Sequence, residues 1–517
     1  MLYLSFIYHM HQPYYKDLLT GEAEVPWVRL HGIKDYLDMV TILKDYPKIK
    51  ITFNLVPSLL EQINDYNESN FKDKYYSLSY KSPQKLSLEE KKFIIDNFFH
   101  INLKWGISIF PRYYELYLKR QNKEVFNEQD ILDLQVWFNL AWYDPIYREN
   151  ISPLNQLVKK ARFFTEEEKY FVLDKQKEIL KEIIPTYKAF KETGQIEIIT
   201  SPYYHPILPL LYSTKTAKEA NPKTELPKKI FSFPQDILAQ VREAKALYKD
   251  YFGDYPLGFW PSEQAVSQHI LDFLIAEGIN WIVTDEGILF KSLKKKKRLP
   301  ELIYQPHLIK RKDGNLAVIF RDRNLSDLIS FVYYQWDVKD AVNNFLYHLE
   351  NIHKAYPDKS PLVCVALDGE NAWEYYKNDG RDFLSLLYQK LSESDFIKTI
   401  TVSEYLKNFP IKSQIKRIAC GSWIYGQLNK WVGSPFKNRA WEVLTEAREK
   451  LEEVKSNLNP QELNLALKQI YILEGSDWFW WYGEDHADFD KLFRKHLINF
   501  YGLIKIPYPN YLEKPLS

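Results

Sequence analysis

The sequence predicts an α/β protein in which a barrel of parallel strands alternates with helices. Three observations predict it: strand-like segments recur along the 517 residues, helical patterns lie between many of them, and the segments end in polar or aromatic residues. Repeated strand–helix units imply a parallel sheet with crossover helices. The units exceed one mononucleotide-binding half and no GxGxxG motif lies near them, so a relative of the eight-stranded β/α barrel fits better.

The strand-like segments share one design, an apolar stretch that runs into polar or aromatic residues. There are seven of them: 2–12, 48–57, 196–206, 255–263, 279–287, 316–327 and 361–374. Between them, residues 235–252 and 264–278 carry apolar residues at the spacing of an amphipathic helix. Catalytic groups of such barrels lie at the carboxyl ends of the strands. Those ends carry these candidates: His11, His205, Glu263, Asp285, Arg321 and Asp368.

Helical stretches interrupt and follow this alternation. Residues 60–190, rich in Lys, Glu, Tyr and Trp, predict a helical insertion between the second and third strands. Residues 440–454 and 460–481 predict long amphipathic helices. We therefore expect a catalytic barrel over residues 1–400, including the insertion, and a mainly helical C-terminal domain over residues 401–517.

Composition and charge exclude several classes of protein. Lys and Arg total 69 against 68 Asp and Glu, so the net charge of +1 gives no electrostatic footprint for nucleic acid. No apolar run approaches the roughly 18–20 residues of a membrane span, and the alternating first segment predicts a strand rather than a signal peptide. Two cysteines give neither a disulfide framework nor zinc-type spacing. We expect a cytoplasmic protein without nucleic-acid or membrane partners; the oligomeric state stays open.

His9 and His11 lie two residues apart in the first strand segment, within YHMHQPYY. A strand directs both side chains to one face, so they could bind a metal or form a polar floor for a sugar. A metal-dependent carbohydrate deacetylase on a similar barrel would need a His-x-x-x-His pair and an early tandem acid. The eleven histidines include no pair spaced by four, and no Asp-Asp ends a strand segment. We therefore expect no metal at these histidines and no cofactor for the chemistry, with a structural calcium left open, and imidazoles that reach sugar hydroxyls.

Two acids follow separate strand segments, each close to a tryptophan. GFWPSE ends in Glu263 after Trp260, and LDGENAWE contains Asp368 and Trp373. Retaining glycoside hydrolysis needs two carboxyl groups about 5–5.5 Å apart, one as nucleophile and one as proton donor. Aromatic residues, 16% of the chain, offer flat faces that suit sugar rings. The pattern therefore favours a glycosidase.

The motifs HMHQP, GQIEIITSPYYHPILPLL, GFWPSE, LDGENAWE and EGSDWFWWYGEDH occur in this order. Together they resemble the ordered motifs of glycoside hydrolase family 57, and most of all its amylopullulanase and α-amylase branch. The likeness runs from residue 2 to about residue 500. It implies a (β/α)7 barrel, a retaining mechanism through a covalent glycosyl-enzyme intermediate, and α-glucan substrates such as starch, glycogen and maltooligosaccharides.

The resemblance also assigns roles to single residues. Glu263 matches the nucleophile in the family's Trp-Pro-x-Glu motif, and Asp368 matches the general acid/base that opens Asp-Gly-Glu-Asn. His11 matches the histidine that lines the central subsite, and Glu197 the glutamate of the third-strand motif. Glu263 must be ionised to attack, whereas Asp368 must hold a proton. Burial against Trp373 and the charge of Glu263 are expected to raise the pKa of Asp368.

Further residues are predicted to bind substrate. Besides His11 and Glu197, they are His9, His205, Trp260, Arg321, Trp373, Trp423 and Trp478. Trp423 and Trp478 are candidate stacking platforms, with packing of the C-terminal helices as the alternative. Arg321 could bind a sugar hydroxyl, hold a catalytic carboxylate ionised, or serve the fold. Asp285 and Glu286 are expected to support the site from behind.

The predicted activity is hydrolysis of α-1,4 glucan links, with α-1,6 links as a second candidate. A 4-α-glucanotransferase or branching enzyme on the same site is the alternative, since it shares the covalent intermediate. A metal-dependent carbohydrate deacetylase and a catalytically inactive glucan-binding protein are alternatives of other classes. The missing metal spacing argues against the first of these, and the intact acid pair argues against the second.

Overall fold

The computed structural model describes residues 1–68, 71–357, 359–484 and 487–516. Its strands are, in chain order, β1 (Leu2–Met10), β2 (Ile51–Leu55), β3 (Ile196–Ile199), β4 (Gly258–Phe259), β5 (Trp281–Asp285), β6 (His307–Arg311), β7 (Gly314–Arg321), β8 (Leu362–Asp368), β9 (Ile397–Thr399) and β10 (Ser413–Gln414). Every predicted strand segment overlaps one of these strands. The sequence prediction missed β6, β9 and β10.

The strands form two sheets whose edges meet. One has the order β3-β2-β1-β8 with β9 beside β1, and all its pairs are parallel. The other has the order β10-β6-β7-β5-β4, in which only β6 and β7 are antiparallel among the described strands. A parallel bridge between Thr200 and Phe259 joins β3 to β4. The amide of Asp322, just after β7, donates to the carbonyl of Cys364 in β8 at 2.8 Å. The strands β1, β2, β3, β4, β5, β7 and β8 thus surround one core, as in a (β/α)7 barrel.

Apolar side chains fill the barrel and a short helix covers one of its ends. Ile7, Val283 and Cys364 share a buried cluster with Val402 and Tyr405, which belong to the helix Val402–Asn408. The ring of Tyr405 lies 5.6 Å from that of Tyr3 at the start of β1, and its hydroxyl donates to the carbonyl of Ser360, just before β8, at 2.6 Å. The helix therefore covers the end where the strands begin.

Helices make up most of the remaining chain. Around the strands as far as β10 lie Trp27–His31, Asp38–Thr41, Leu208–Tyr212, Ala217–Ala220, Pro234–Phe252, Leu271–Ala276, Glu286–Ser292, Pro300–Ile303, Arg323–Phe331, Val338–Ala355, Arg381–Glu393 and Val402–Asn408. Between β2 and β3 lie Pro57–Asp65, Lys74–Tyr80, Leu88–Asn97, Pro111–Gln121, Glu128–Ala141, Pro145–Asn150, Ser152–Lys160 and Glu166–Glu192, where the insertion was expected. After β10 lie Pro435–Val454, Pro460–Leu473, Ser476–Trp481 and Ala487–Leu503.

Two predicted helices differ from the structure. Residues 460–481 form two helices, because Gly475 bridges to Pro206 and a Cβ at Gly475 would come within 2.9 Å of a backbone carbonyl. Of residues 264–278, the α-helix covers Leu271–Ala276, because Val266 pairs with Gly421 instead of coiling. Both differences arise where distant backbone competes with a local helical pattern.

The predicted boundary at residue 400 falls within a densely packed region. Ile400, Val402 and Tyr405 belong to the buried cluster of the barrel, and Ser413 pairs with His307 of β6. The division into two domains stays a prediction. Across the described ranges, every helix is too short or too polar to cross a membrane. Cys364 and Cys420, both described, are buried free thiols.

Candidate active site

Histidines and acids meet at the carboxyl ends of the strands. His9 of β1 lies in register with Asn54 of β2 and with Asp368 of β8. The rings of His11 and His205 lie 4.0 Å apart, and the His9 ring is 4.9 Å from that of His205. His9 and His205 are 4% and 1% exposed, so the cluster lies inside the mouth of the barrel rather than on its rim.

His9 is held from below and from the side. Its ring stacks on Trp260 with centroids 4.6 Å apart and planes within 3°. The amide of Asn54 donates to Nδ1 of His9 at 2.6 Å and to Ser201 at 2.9 Å. Since an amide nitrogen only donates, a neutral His9 carries its proton on Nε2. Burial and then the charge of His11 hold the pKa of His9 well below its usual value, which keeps the ring neutral.

Glu263 is held in a turn just after β4. Its φ of 57° and that of Gln264, 51°, lie in the left-handed region, which costs a non-glycine residue about 1–3 kcal/mol. Trp423 donates from Nε1 to Oε2 of Glu263 at 2.9 Å, and Ser476 donates from its hydroxyl to Oε1 at 3.1 Å. The turn and these two donors fix the carboxylate in the cluster.

Burial is the main cause of an unusual pKa at Glu263. Together with the charges of Asp477 and Asp368, it raises the pKa to about 8, while the bonds from Trp423 and Ser476 act in the opposite direction. A carboxyl group with a pKa near neutrality exchanges its proton easily at physiological pH. This is a property that acid/base and nucleophilic sites use.

Asp368 is the last residue of β8. Burial raises its pKa, while a bond from Asn371 and the positive charges of His11 and Arg321 oppose the rise. Trp373 packs on Tyr8 and donates to the carbonyl of Gly369, next to Asp368, and its contribution to the pKa of Asp368 stays a prediction. The electrostatic interaction between the two acids affects Glu263 instead, because the charge of Asp368 raises the pKa of Glu263.

Sequence reasoning missed Ser476 and Asp477, which begin the helix after Gly475. The carboxylate of Asp477 accepts from Nε2 of His11 at 2.9 Å. The hydroxyl of Ser476 contacts Nδ1 of His205 at 3.0 Å while it donates to Glu263. The available signal was the polar Ser-Asp pair directly after glycine in EGSDWFWW, which the neighbouring tryptophans obscured.

Other predicted residues support the cluster. Trp423 lies edge-on to Trp260 at 5.6 Å, and the Arg321 guanidinium lies over its ring at 5.2 Å from the centroid. Arg321 also donates from Nε to Asp285 at 2.9 Å. Trp260 is fully buried beneath His9 and is no open platform. Glu286 accepts from Arg298 at 2.9 Å, to the side of the cluster.

The structure does not bring Glu197, Trp373 and Trp478 to the cluster, which corrects the expectation that they touch the sugar. Glu197 is the second residue of β3, and its carboxylate accepts from the amide of Ser403 at 3.1 Å at the covered end of the barrel. Trp373 is 1% exposed and packs in the core. Trp478 donates to the carbonyl of Ile472 at 2.6 Å and packs between C-terminal helices.

The comparisons with known proteins identify related carbohydrate-active proteins. The family model described as Glycosyl hydrolase family 57 matches residues 5–417. Alpha-amylase 1 of Dictyoglomus thermophilum is 24% identical over 281 residues, 53% of this chain and 34% of that protein. The chain thus spans about a third of the length of that curated relative.

Solved structures share the fold across almost the whole chain. A GH57 branching enzyme from Thermococcus kodakaraensis has a TM-score of 0.63 at 17% identity, covering 99% of this chain and 93% of that one. The α-amylase AmyC from Thermotoga maritima has 0.62 at 14% identity, covering 97% and 93%. A 4-alpha-glucanotransferase from Thermococcus litoralis has 0.54 at 16% identity, covering 97% and 60%. The expected (β/α)7 barrel and glycoside hydrolase are confirmed, and the chain belongs to glycoside hydrolase family 57.

Proposed function

We propose that this enzyme hydrolyses the α-1,4 links of glucans such as starch, glycogen and maltooligosaccharides, with retention of configuration. The observation that carries the proposal is the pair formed by the buried Glu263 and the partly buried Asp368 at the carboxyl ends of β4 and β8. The charge of Asp368 raises the pKa of Glu263, so the ionisation of Asp368 acts on that of Glu263. Such coupled groups titrate as a pair, and the working form holds one proton between them.

In the proposed mechanism, the ionised Glu263 attacks the anomeric carbon while Asp368 protonates the departing glycosidic oxygen. Trp423 and Ser476 orient the attacking carboxylate, which saves the entropy of positioning it at each turnover. Asp368, now ionised, takes a proton from water, which cleaves the glycosyl–Glu263 ester. The negative charge of Asp477 lies close enough to Glu263 to raise its pKa and to stabilise an oxocarbenium-like transition state. Two carboxyl groups suffice, so this chemistry needs no cofactor.

The histidines bind the sugar at the reacting centre in this proposal. Nε2 of His9 carries a proton and can donate to a hydroxyl, as a buried polar floor requires. His11 and His205 lie next to it, with Asp477 as acceptor. The cytoplasmic location, and the absence of nucleic-acid and membrane partners, stay predictions from composition.

Transfer is the alternative outcome on the same site. The solved relatives include a branching enzyme and a glucanotransferase, and in either reaction a sugar hydroxyl replaces water in the second step. Cleavage of α-1,6 links is a further alternative. It would use the same two acids and depends on how a branch point is positioned against them.

A product profile tests the proposal. The purified protein is incubated with maltoheptaose and with pullulan, beside Glu263→Gln and beside Glu197→Gln as the matched control. Shorter reducing sugars from the wild type and from Glu197→Gln, but not from Glu263→Gln, are the expected result. Products longer than maltoheptaose without new reducing ends would replace hydrolysis by transfer, and panose from pullulan would add α-1,4 cleavage next to branches while maltotriose would show α-1,6 cleavage. Ester release from acetylated sugars, with no change in glucan, would overturn the proposal.

A further inference from the structure

Three potential metal ligands converge inside the cluster. His11, His205 and Asp477 each offer one ligand atom, and these atoms all lie within 4.8 Å of one another. Within the part of the chain that the structure describes, this is the one such group of three. Its members come from β1's end, the loop after β3 and the helix after Gly475, so no motif of close spacing announces it.

His205 presents a free lone pair to this group. The hydroxyl proton of Ser476 is donated to Glu263, so Ser476 must accept a hydrogen bond from Nδ1 of His205. With its proton on Nδ1, a neutral His205 has an unprotonated Nε2. That atom is buried and has no hydrogen-bond partner among the described residues. A buried nitrogen lone pair of this kind accepts a hydrogen bond from water or binds a cation.

The surrounding charges favour a cation. Asp477 lies in the group itself, and the charges of Asp477 and Asp368 both act on Glu263. The nearby guanidinium of Arg321 is engaged by Asp285 at 2.9 Å. The carboxyl groups of Asp477, Asp368 and Glu263 thus lie around the same small volume, balanced only by His11 and Arg321, and a dication that replaces the His11 proton adds positive charge there.

We propose that His11, His205 and Asp477 bind a divalent transition-metal ion of the Zn²⁺ class, and that this ion inhibits the enzyme by occupying the sugar site. Two imidazoles and a carboxylate are typical Zn²⁺ ligands, with bonds of about 2.0–2.2 Å, and leave a fourth position to water. Small side-chain movements close the present separations to that geometry. His11 gives up its Nε2 proton to bulk water when the metal replaces it on Asp477.

The competition follows from shared atoms. Nε2 of His11, Nε2 of His205 and the carboxylate of Asp477 cannot hold a metal and contact sugar hydroxyls at once. Ca²⁺ and Mg²⁺ prefer oxygen ligands and are expected to bind far more weakly. The inhibition rests on the proposed glucan hydrolysis, whereas the metal site itself does not.

Calorimetry with ZnCl₂ on the full chain, stripped with EDTA, tests the site directly. We expect one saturable site whose affinity falls at least tenfold in His205→Gln and in Asp477→Asn, on the scale of about 10–100-fold for disturbed metal sites. Co²⁺ should give the visible absorption of a low-coordinate ion. Maltoheptaose should weaken Zn²⁺ binding to the wild type, and Zn²⁺ should raise the apparent KM without changing kcat.

The matched control is His269→Gln. His269 is partly exposed and pairs with Glu219 at 2.7 Å, so it offers an adventitious site with two ligands. The proposal predicts unchanged affinity in this variant. It is overturned if the tight site disappears in His269→Gln, if it survives in both His205→Gln and Asp477→Asn, or if the wild type has none. Since glucan competition is measured on the wild type, misfolding of a variant leaves that test intact. Saturable binding in a protein without glucan hydrolysis would keep the metal site and refute the proposed function.

Discussion

Two glutamates, Glu197 partly buried and Glu263 buried, lie at opposite ends of the same barrel, and each is bonded to a serine beside a tryptophan. At the covered end, Glu197 accepts from the amide and the hydroxyl of Ser403, to which Trp281 donates at 2.9 Å. At the open end, Glu263 accepts from Ser476 and Trp423. Burial raises the pKa of both carboxyl groups.

The difference lies in what else surrounds each carboxylate. Glu197 sits on regular strand backbone, and its hydrogen-bonded neighbours offset the cost of burial. Glu263 sits on left-handed backbone, and Asp477 and Asp368 add like charge to the cost of burial. Burial and hydrogen bonds alone therefore do not mark a catalytic acid. Strained backbone together with repelling neighbours does so more reliably, because a fold without a functional reason has no cause to keep them.

The largest effect should come from replacing each of the two glutamates by glutamine, one at a time. Glu263→Gln removes the proposed nucleophile, and kcat/KM on maltoheptaose should fall by about 10⁴–10⁶-fold, the range seen when a nucleophilic unit is disabled. Glu197→Gln keeps an acceptor for Ser403 and should leave kcat/KM near the wild-type value. Equal losses in both variants would break the comparison.

Substitution of Glu263 should also change how the stability of the protein depends on pH. The folded-state pKa of Glu263, about 8, lies above its unfolded value. Its contribution to stability is therefore full at acidic pH and is lost as the pH rises toward 8. Thermal melts should show the wild type losing stability over that interval and Glu263→Gln losing less.

The next effect concerns the proton donor. Asp368→Asn should lower kcat on maltoheptaose by about 10²–10⁴-fold, because general acid catalysis contributes on that scale. With α-glucosyl fluoride, whose leaving group needs no proton, the formation of the glycosyl-enzyme should recover. No recovery, measured as fluoride release in a burst, would argue that Asp368 positions the substrate instead.

A smaller effect should distinguish Trp423 from Trp478, which were both predicted to be stacking platforms. Trp423→Phe removes the donor to Glu263, and a hydrogen bond to a charged group contributes about 1.5–3 kcal/mol, so kcat should fall by roughly 10–100-fold. Trp478→Phe removes a bond to the carbonyl of Ile472 and should lower the denaturation midpoint without a matching loss of kcat. The opposite division between the two variants would exchange their roles.

The smallest expected effect is a shift in the pH profile. The charge of Asp477 helps to raise the pKa of Glu263, so Asp477→Asn should move the limb of kcat/KM that reports the ionisation of Glu263 to lower pH by on the order of one unit. Below the lower limb the pair holds two protons and lacks a nucleophile, and above the upper limb it lacks an acid. Asp272→Asn, which removes an exposed partner of Arg311, is the control and should leave both limbs in place. Limbs that stay fixed in Asp477→Asn would remove that carboxylate from the electrostatics of the site.

The local sequence pattern predicted the seven barrel strands and the positions of the two central acids. The strand segments carry their polar ends in sequence, so Glu263 and Asp368 could be placed at the carboxyl ends of a barrel before any coordinates. The prediction about metal binding rested on ligand spacing within short motifs. Such spacing does not register His205 and Asp477, which are 272 positions apart yet share one site.

The tryptophans show the same limit from the other side. Trp373 and Trp478 stand in the same motifs as functional residues, but side-chain direction is set by what packs on each face of the backbone. Trp373 turns to Tyr8 and Trp478 to Phe493, so both became core.

The seven barrel strands in their order, the acid pair and the two histidines at the end of β1 follow from the sequence, because period and strand-end chemistry are local properties of a chain. The break at Gly475, the turn of Glu263 and the meeting of Ser476 with His205 depend on tertiary structure. Each is settled by contact between segments far apart in the chain, where distant backbone and side chains outweigh the local preference.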